Sequence, residues 1–175
     1  EEKNMAVNKV RIMLMKDCKV AIIESGRSKL FSLPGGEVEE NQDEKETLKK
    51  DVLSSLGINI DIENIEGPFL IKESQYLSRD EQGKEVYKIA TSNFYLASTE
   101  EDFDFEKMQL TEKEKRRGVV PQWMNPAKLE YFLTEQKDKY PNVYARKYAE
   151  EYLNVYHKFL EYQRKREAED RDINR

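Results

Sequence analysis

The stretch LPGGEVEENQDEKETLKKDVLSSLGI, residues 33–58, decides the fold of this chain. It opens on Pro34-Gly35-Gly36, a strong turn signal. Hydrophobic residues then recur at helical spacing, at Leu48, Val52, Leu53 and Leu56. Gly57 follows directly as a helix stop, and either Asn41 or Asp43 can cap the start. The pattern predicts an amphipathic helix over residues 43–56.

Strand patterns lie on both sides of this helix. Residues 7–15 alternate between apolar and polar positions, and residues 19–24 follow a short turn, which predicts a hairpin. Further strands are predicted over the ranges 30–33, 58–62, 69–77, 85–96 and 119–124. Pro126 is placed to begin a helix that runs through Leu133.

The C-terminal part differs in kind from the rest. After Pro141, one helical stripe carries Tyr144, Tyr148, Tyr152, Val155, Tyr156 and Phe159. Residues from 161 onward are almost wholly charged, which is typical of a solvated helix that frays into a tail. The sequence therefore predicts a domain over residues 1–139 and a C-terminal helical extension with a charged tail over 140–175. The stripe most simply packs on its own domain; a dimer contact is the alternative.

Composition excludes several classes of protein. The 175 residues include 30 Lys and Arg against 35 Asp and Glu, a net charge of −5, which argues against a nucleic-acid partner. The single cysteine excludes an internal disulfide, and the single histidine excludes a His-rich metal site. No apolar run reaches the roughly 18 residues of a membrane span, and the N-terminus is unlike a signal peptide. We expect a cytoplasmic protein without a membrane partner.

Residues 5–135 resemble the Nudix family, whose box reads G-x5-E-x7-R-E-U-x-E-E-x-G-U, with U a bulky aliphatic residue. Gly36 opens the box, Val52 is its aliphatic residue, and Gly57 and Ile58 close it in register. The resemblance implies an α/β (α+β) fold of the Nudix type. This is an α/β/α sandwich with a mixed β-sheet between helices, here followed by a C-terminal helix.

The charged positions of the box are changed. The first Glu of the family falls on Gln42, its Arg-Glu pair on Lys50 and Asp51, and its Glu-Glu pair on Ser54 and Ser55. In the family, carboxylates on this helix hold magnesium or manganese against a diphosphate. Asp51, Ser54 and Ser55 share one helix face by spacing, but only Asp51 is a carboxylate. Asp51 is therefore the remaining candidate metal ligand, and no catalytic residue is assigned.

Other candidate ligand contacts surround the box. Gly35 and Gly36 would allow the backbone to approach a phosphate. Glu39 belongs to an acidic run that could supply relocated ligands, although a solvated helix N-terminus explains such a run more simply. The acidic residues 100–102 lie where some family members place a catalytic base; a surface loop is the alternative. Arg116-Arg117 could contact a phosphate, but the mixed charges around them favour an exposed turn.

The resemblance leads to three functional hypotheses. The leading one is an impaired or inactive hydrolase scaffold that binds a nucleoside diphosphate derivative, or no small molecule at all, and to which no cofactor is assigned. The second is an active hydrolase that cleaves a diphosphate linkage with magnesium or manganese at an atypical site. The third is an interaction module assembled through the C-terminal helix. Fold alone does not decide among them. We expect a monomer, with a dimer as the alternative.

Overall fold

The computed structural model describes residues 6–26, 31–139 and 143–174. Seven strands of this part form one mixed sheet with the order β3-β2-β1-β6-β5, in which β4 pairs with β1 and β7 with β2. The strands are β1 Val7–Lys16, β2 Lys19–Ser25, β3 Phe31–Ser32, β4 Gly35–Glu37, β5 Glu66–Arg79, β6 Glu85–Ser98 and β7 Val119–Met124. The helices are α1 Glu44–Leu56, α2 Glu112–Arg117, α3 Pro126–Lys139 and α4 Val143–Ile173.

The first hairpin opens soon after its turn. Asp17 and Cys18 both have positive φ angles, 49° and 62°, as a tight two-residue hairpin turn requires. Strands β1 and β2 pair only at Met15 with Val20 and at Lys16 with Lys19. Farther from the turn, β1 pairs with β4 and in parallel with β6, while β2 pairs with β7. The separation of β1 from β2 leaves a gap in the sheet beside α1.

Hydrophobic side chains cover both faces of the sheet. Helix α1 packs Leu48, Val52 and Leu56 on one face, against residues of β1 and β6. Helices α3 and α4 pack on the opposite face, where Leu133 and Phe159 are buried. The architecture is therefore an α/β/α sandwich with a C-terminal helix, which confirms the predicted fold class.

The caps of α1 explain its bounds. Asp43 is the N-cap, and its side chain accepts hydrogen bonds from the backbone N–H groups of Lys45 and Glu46 at 2.8 and 3.3 Å. Gly57 ends the helix in the left-handed conformation, with φ of 70°. A Cβ atom at Gly57 would lie 1.9 Å from the carbonyl oxygen of Asp104, so the following loop can pass only beside a glycine. The helix thus matches the prediction, with Asp43 rather than Asn41 as its cap.

The strand predicted over residues 58–62 is wrong. Ile58 and Ile60 are buried, but this segment pairs with no strand in the described part of the chain and leads into a 3₁₀ turn at Ile62–Asn64. The isoleucines alternate because they are buried against α1 and the sheet, and not because the segment forms hydrogen bonds with a neighbouring strand.

The aromatic stripe of α4 packs within its own chain. Tyr152, Val155, Tyr156 and Phe159 are buried in the same cluster as residues of β1, β2 and α3. Tyr144 and Tyr148 also belong to the predicted stripe, but their side chains are outside the part of the chain that the structure describes. Pro141 is outside it as well. The division of the chain after residue 139 stays a prediction. In the part that the structure describes, no helix is both long and apolar enough to cross a membrane.

Candidate functional site

A cleft of about 830 Å³ opens where β1 and β2 separate. Its lining comes from α1, from the turn between β3 and β4, and from α2 with the residues just before it. Its charged lining residues are three cations and three acids, namely Arg11, Lys113, Arg117, Glu37, Asp51 and Glu114. The volume lies within the range of roughly 300–1,000 Å³ that is typical of small-molecule sites.

One face of α1 forms the floor of this cleft. Asp51, Ser54 and Ser55 line it, while Val52 and Leu56 point into the core on the other side of the helix. The i, i+3, i+4 spacing accounts for this division, since residues three and four apart lie on one helix face. The structure therefore brings together the three box positions that the sequence placed on one face.

Both serine hydroxyls are bonded to their own helix. Ser54 Oγ donates to the main-chain carbonyl of Asp51 at 3.2 Å, and Ser55 Oγ donates to the same oxygen at 2.6 Å. Such back-bonding satisfies a serine locally. The two residues therefore present neutral, internally bonded oxygens to the cleft in place of carboxylates.

Asp51 is the remaining carboxylate on this face. Its Oδ2 atom is buried and has no hydrogen-bond partner in the described residues. Burial raises the pKa of Asp51; the positive charges of Arg11 and Lys50 oppose that rise, and Glu114 adds to it. The environment therefore disfavours the ionised form, which is the form that binds a metal.

The two glycines of the turn make room for parts of the chain itself. Gly35 has φ of 141°, and a Cβ atom there would lie 2.0 Å from the carbonyl oxygen of Val10, so only glycine permits β4 to pair with β1. A Cβ atom at Gly36 would lie 2.8 Å from Asp51 Oδ2. Arg11 fixes the turn by donating from Nη1 to the carbonyls of Leu33 and Gly35, each at 3.1 Å.

Other predicted site residues lie elsewhere. Gln42 and Glu39 line a separate surface pocket of about 730 Å³, and Lys50 is exposed outside the cleft lining. Asp102 accepts a hydrogen bond from Trp123 Nε1 at 2.8 Å, which lowers its pKa and ties the acidic loop to β7. The structure does not bring these residues to Asp51.

Helix α2 supplies residues that the sequence reasoning did not assign to the site. Thr111 and Glu114 form a capping box that begins the helix, and the sequence signature T-x-x-E could have revealed it. Lys113 and Arg117 line the cleft. The prediction of a turn at Arg116-Arg117 is therefore wrong, because both exposed residues belong to α2. Of the two, only Arg117 lines the cleft. Other missed polar lining residues are Arg11, Ser25, Ser32, Gln109 and Thr111.

The donor set can be compared with the divalent cation that the Nudix resemblance implies. Magnesium prefers oxygen ligands in octahedral geometry and is usually held through one or two carboxylates plus substrate phosphates. In residues 6–26, 31–139 and 143–174, no group of three or more His, Cys, Asp or Glu is arranged to hold a metal ion. The three acids of the cleft come from three different elements: Glu37 from β4, Asp51 from α1, and Glu114 from α2, where it already accepts from the Thr111 N–H at 3.0 Å. These residues do not fit the family's metal site.

Comparisons with known proteins identify the fold. No family model matches the chain, and no curated protein matches its sequence. The structure is similar to that of a MutT protein from Methanosarcina mazei Go1, with a TM-score of 0.52 and 12% identity over 86% of this chain and 95% of that one.

Two further solved structures show weaker similarity. A MutT Nudix hydrolase from Burkholderia pseudomallei matches with a TM-score of 0.44 and 14% identity, over 70% of this chain and 84% of that one. A C. elegans Ap4A hydrolase matches with a TM-score of 0.46 and 12% identity, over 91% and 98%. The sandwich, the strand order, the capped box helix and the similarity to the Methanosarcina mazei MutT protein agree, and the chain has the Nudix fold.

Proposed function

We propose that this protein binds a nucleoside diphosphate derivative in the cleft beside α1 and hydrolyses it poorly or not at all. The observation that carries the proposal is the cleft face of α1, which offers one half-buried carboxylate and two serines bonded to their own helix. A box helix with this face keeps its place in the fold without the ligands that a metal needs.

The loss of hydrolysis follows from the chemistry of the metal. A divalent cation would polarise a phosphoryl oxygen and generate the attacking hydroxide. Asp51 alone is a poor anchor for such a cation, because it is the single carboxylate that α1 presents to the cleft and burial raises its pKa, which works against the ionised form. The serine oxygens carry no charge and cannot compensate. We therefore expect no magnesium site tighter than millimolar on the free protein.

Retention of binding is supported by the rest of the cleft. Its volume suits a nucleotide-sized ligand. Three cationic side chains from β1 and α2 line it, and cations are the ordinary partners of phosphate groups. The walls are fixed by hydrogen bonds between elements, for example from Gln109 N–H to the carbonyl of Ser54 at 2.8 Å.

Two measurements on one ligand panel test the proposal. Calorimetry with nucleoside diphosphate derivatives, in EDTA and in magnesium or manganese, should detect binding that does not require the metal. Phosphate release from the same compounds should stay at the uncatalysed background. Metal-dependent turnover that disappears in Asp51→Asn would refute the loss of hydrolysis, and a panel with no binder would refute ligand binding.

A gain-of-function variant tests the geometry. Asp51→Glu, Ser54→Glu and Ser55→Glu together place three carboxylates on the cleft face of α1, because all three positions line the cleft. This variant should acquire a magnesium or manganese site in calorimetry. Gln42→Glu added to it should contribute nothing, since Gln42 lies outside the cleft. A folded triple variant without metal binding would show that this face does not form the family's site.

An active hydrolase with an atypical metal site is the second candidate. Glu37 and Glu114 favour it, because both line the cleft together with Asp51. If it is correct, turnover should be measurable with manganese and should fall in Glu37→Gln, whereas Glu39→Gln, in a separate pocket, should have no effect.

A further inference from the structure

We propose that Lys113 and Arg117 of α2 bind the diphosphate group of the ligand directly, and that they neutralise its charge without a metal ion. This inference rests on the proposed function, because it assigns the phosphate contacts within the same cleft. It concerns side chains on the wall opposite the box helix.

The four basic residues of α2 divide into two pairs. Lys115 forms an ion pair with Glu112 at 3.5 Å, and Arg116 Nε donates to the carbonyl of Glu112 at 3.4 Å. Lys113 and Arg117 line the cleft instead, and neither side chain has a hydrogen bond or ion pair to another described residue. One pair is thus engaged with the helix itself, while the other faces the cleft with its donors available.

The spacing of the second pair suits one anionic group. Lys113 and Arg117 are four residues apart, so their Cβ atoms lie roughly 6 Å from each other on one helix face. Arginine can hold two phosphate oxygens in its planar fork, and lysine adds a compact point charge. Together they can meet the charge of a diphosphate, which in a metal-dependent site would be met by the cation.

The position of α2 is fixed at both ends. Its start is held by the capping box and by the preceding Gln109, which donates to the carbonyl of Ser54 in α1. Its end is held against β2, where Ser25 Oγ donates to the carbonyl of Arg117 at 3.3 Å and Gly26 N–H donates to that of Gly118 at 3.1 Å. A wall fixed in this way lowers the cost of ordering on binding.

Asp51 strengthens the same conclusion. It is the single carboxylate that α1 presents to the cleft, so the floor of the cleft repels an anion less than a set of box glutamates would. Arg11 adds positive charge beside it while it holds the turn at Gly35. The cleft therefore fits a phosphate group better than it fits a magnesium ion.

Inorganic pyrophosphate is the probe for the test. Its affinity for the full chain is measured by calorimetry in EDTA at low and moderate salt. The wild type should bind it without metal, and Lys113→Ala with Arg117→Ala should weaken the affinity at least about tenfold and reduce its salt dependence. Lys115→Ala with Arg116→Ala is the matched control: it removes the same charge from the same helix and should change the affinity less than about threefold. Arg117→Lys should bind more weakly than the wild type, because the fork is lost.

The outcomes separate this inference from the proposed function. The inference is overturned if pyrophosphate does not bind, if it binds only with magnesium, or if both double variants lose affinity equally. A nucleoside diphosphate derivative that binds Lys113→Ala/Arg117→Ala as tightly as the wild type also overturns it, yet leaves the proposed function standing. Failure of every nucleoside derivative to bind the wild type overturns the proposed function itself.

Discussion

Replacement of Phe159 by alanine measures how much α4 contributes to the core. Phe159 is 1% exposed, and its ring lies 6.0 Å from that of Phe69 on β5, centroid to centroid, at an interplanar angle of 61°. The substitution removes this edge contact and leaves a cavity between α4 and the sheet. Buried Phe→Ala changes cost about 3–5 kcal/mol, which includes the cavity left behind.

That loss is large compared with a whole domain's stability of roughly 5–15 kcal/mol. In a chain of this size, each kcal/mol shifts the Tm by about 2–4 °C, so the expected drop is roughly 6–20 °C. Urea and thermal unfolding followed by circular dichroism would measure both quantities. Ile173→Ala is the control on the same helix: Ile173 is 79% exposed, and its loss should change the free energy of unfolding by less than about 0.5 kcal/mol.

The Phe159→Ala variant also tests whether α4 contributes to binding in the cleft. None of the α4 side chains that the structure describes lines the cleft, so folded Phe159→Ala protein should bind pyrophosphate as the wild type does. A loss of unfolding free energy below about 1 kcal/mol, or one equal to that of Ile173→Ala, would refute the packing of α4 on this face of the sheet.

Three further outcomes are expected. Burial raises the pKa of Asp51, so the folded protein holds the proton of this carboxyl more tightly than the unfolded chain does. The resulting contribution to the free energy of unfolding is fully present below the ordinary pKa of 3.8 and is lost as the pH rises through the raised pKa. Asp51→Asn should remove that part of the pH dependence in urea titrations and be at least as stable at pH 7; a less stable variant would contradict the desolvation of this carboxylate. Gly57→Ala should cost at least about 2 kcal/mol more than Gly83→Ala, since both have positive φ but only the first meets a backbone oxygen, that of Asp104; equal losses would show that the loop is not held there. A chain that ends at Tyr140 should be monomeric in light scattering, less stable and more prone to aggregate, because it exposes the sheet face under α4; a dimeric parent with a folded, monomeric truncation would mean that the stripe packs between chains.

Local signals made α1 and β7 predictable. Asp43 and Gly57 are caps whose chemistry acts within a few residues, and the strand at Val119–Met124 matches its predicted bounds. The shared face of Asp51, Ser54 and Ser55 followed from helical geometry alone. In each case the information lies within one element.

Pairing between distant parts of the chain was harder to predict. The alternation of Ile58 and Ile60 looks like a strand, but whether such a segment pairs depends on a neighbour that spacing does not reveal. The place of Lys113 and Arg117 in the cleft depends on where α2 docks on β2, through contacts such as Ser25 with Arg117. The sequence around Arg11 likewise does not indicate that its side chain holds the turn at Gly35, which lies 24 residues away.

The two sides of α1 are under separate constraints. Leu48, Val52 and Leu56 hold the helix to the sheet, while Asp51, Ser54 and Ser55 face the cleft and add little to the packing. A substitution on the cleft side therefore leaves the attachment of the helix intact, and charged ligands can be exchanged for small neutral residues at little cost in stability. In evolutionary terms, such a helix lets a lineage lose or regain metal-dependent hydrolysis within a handful of point mutations. Each intermediate variant along the way can still fold.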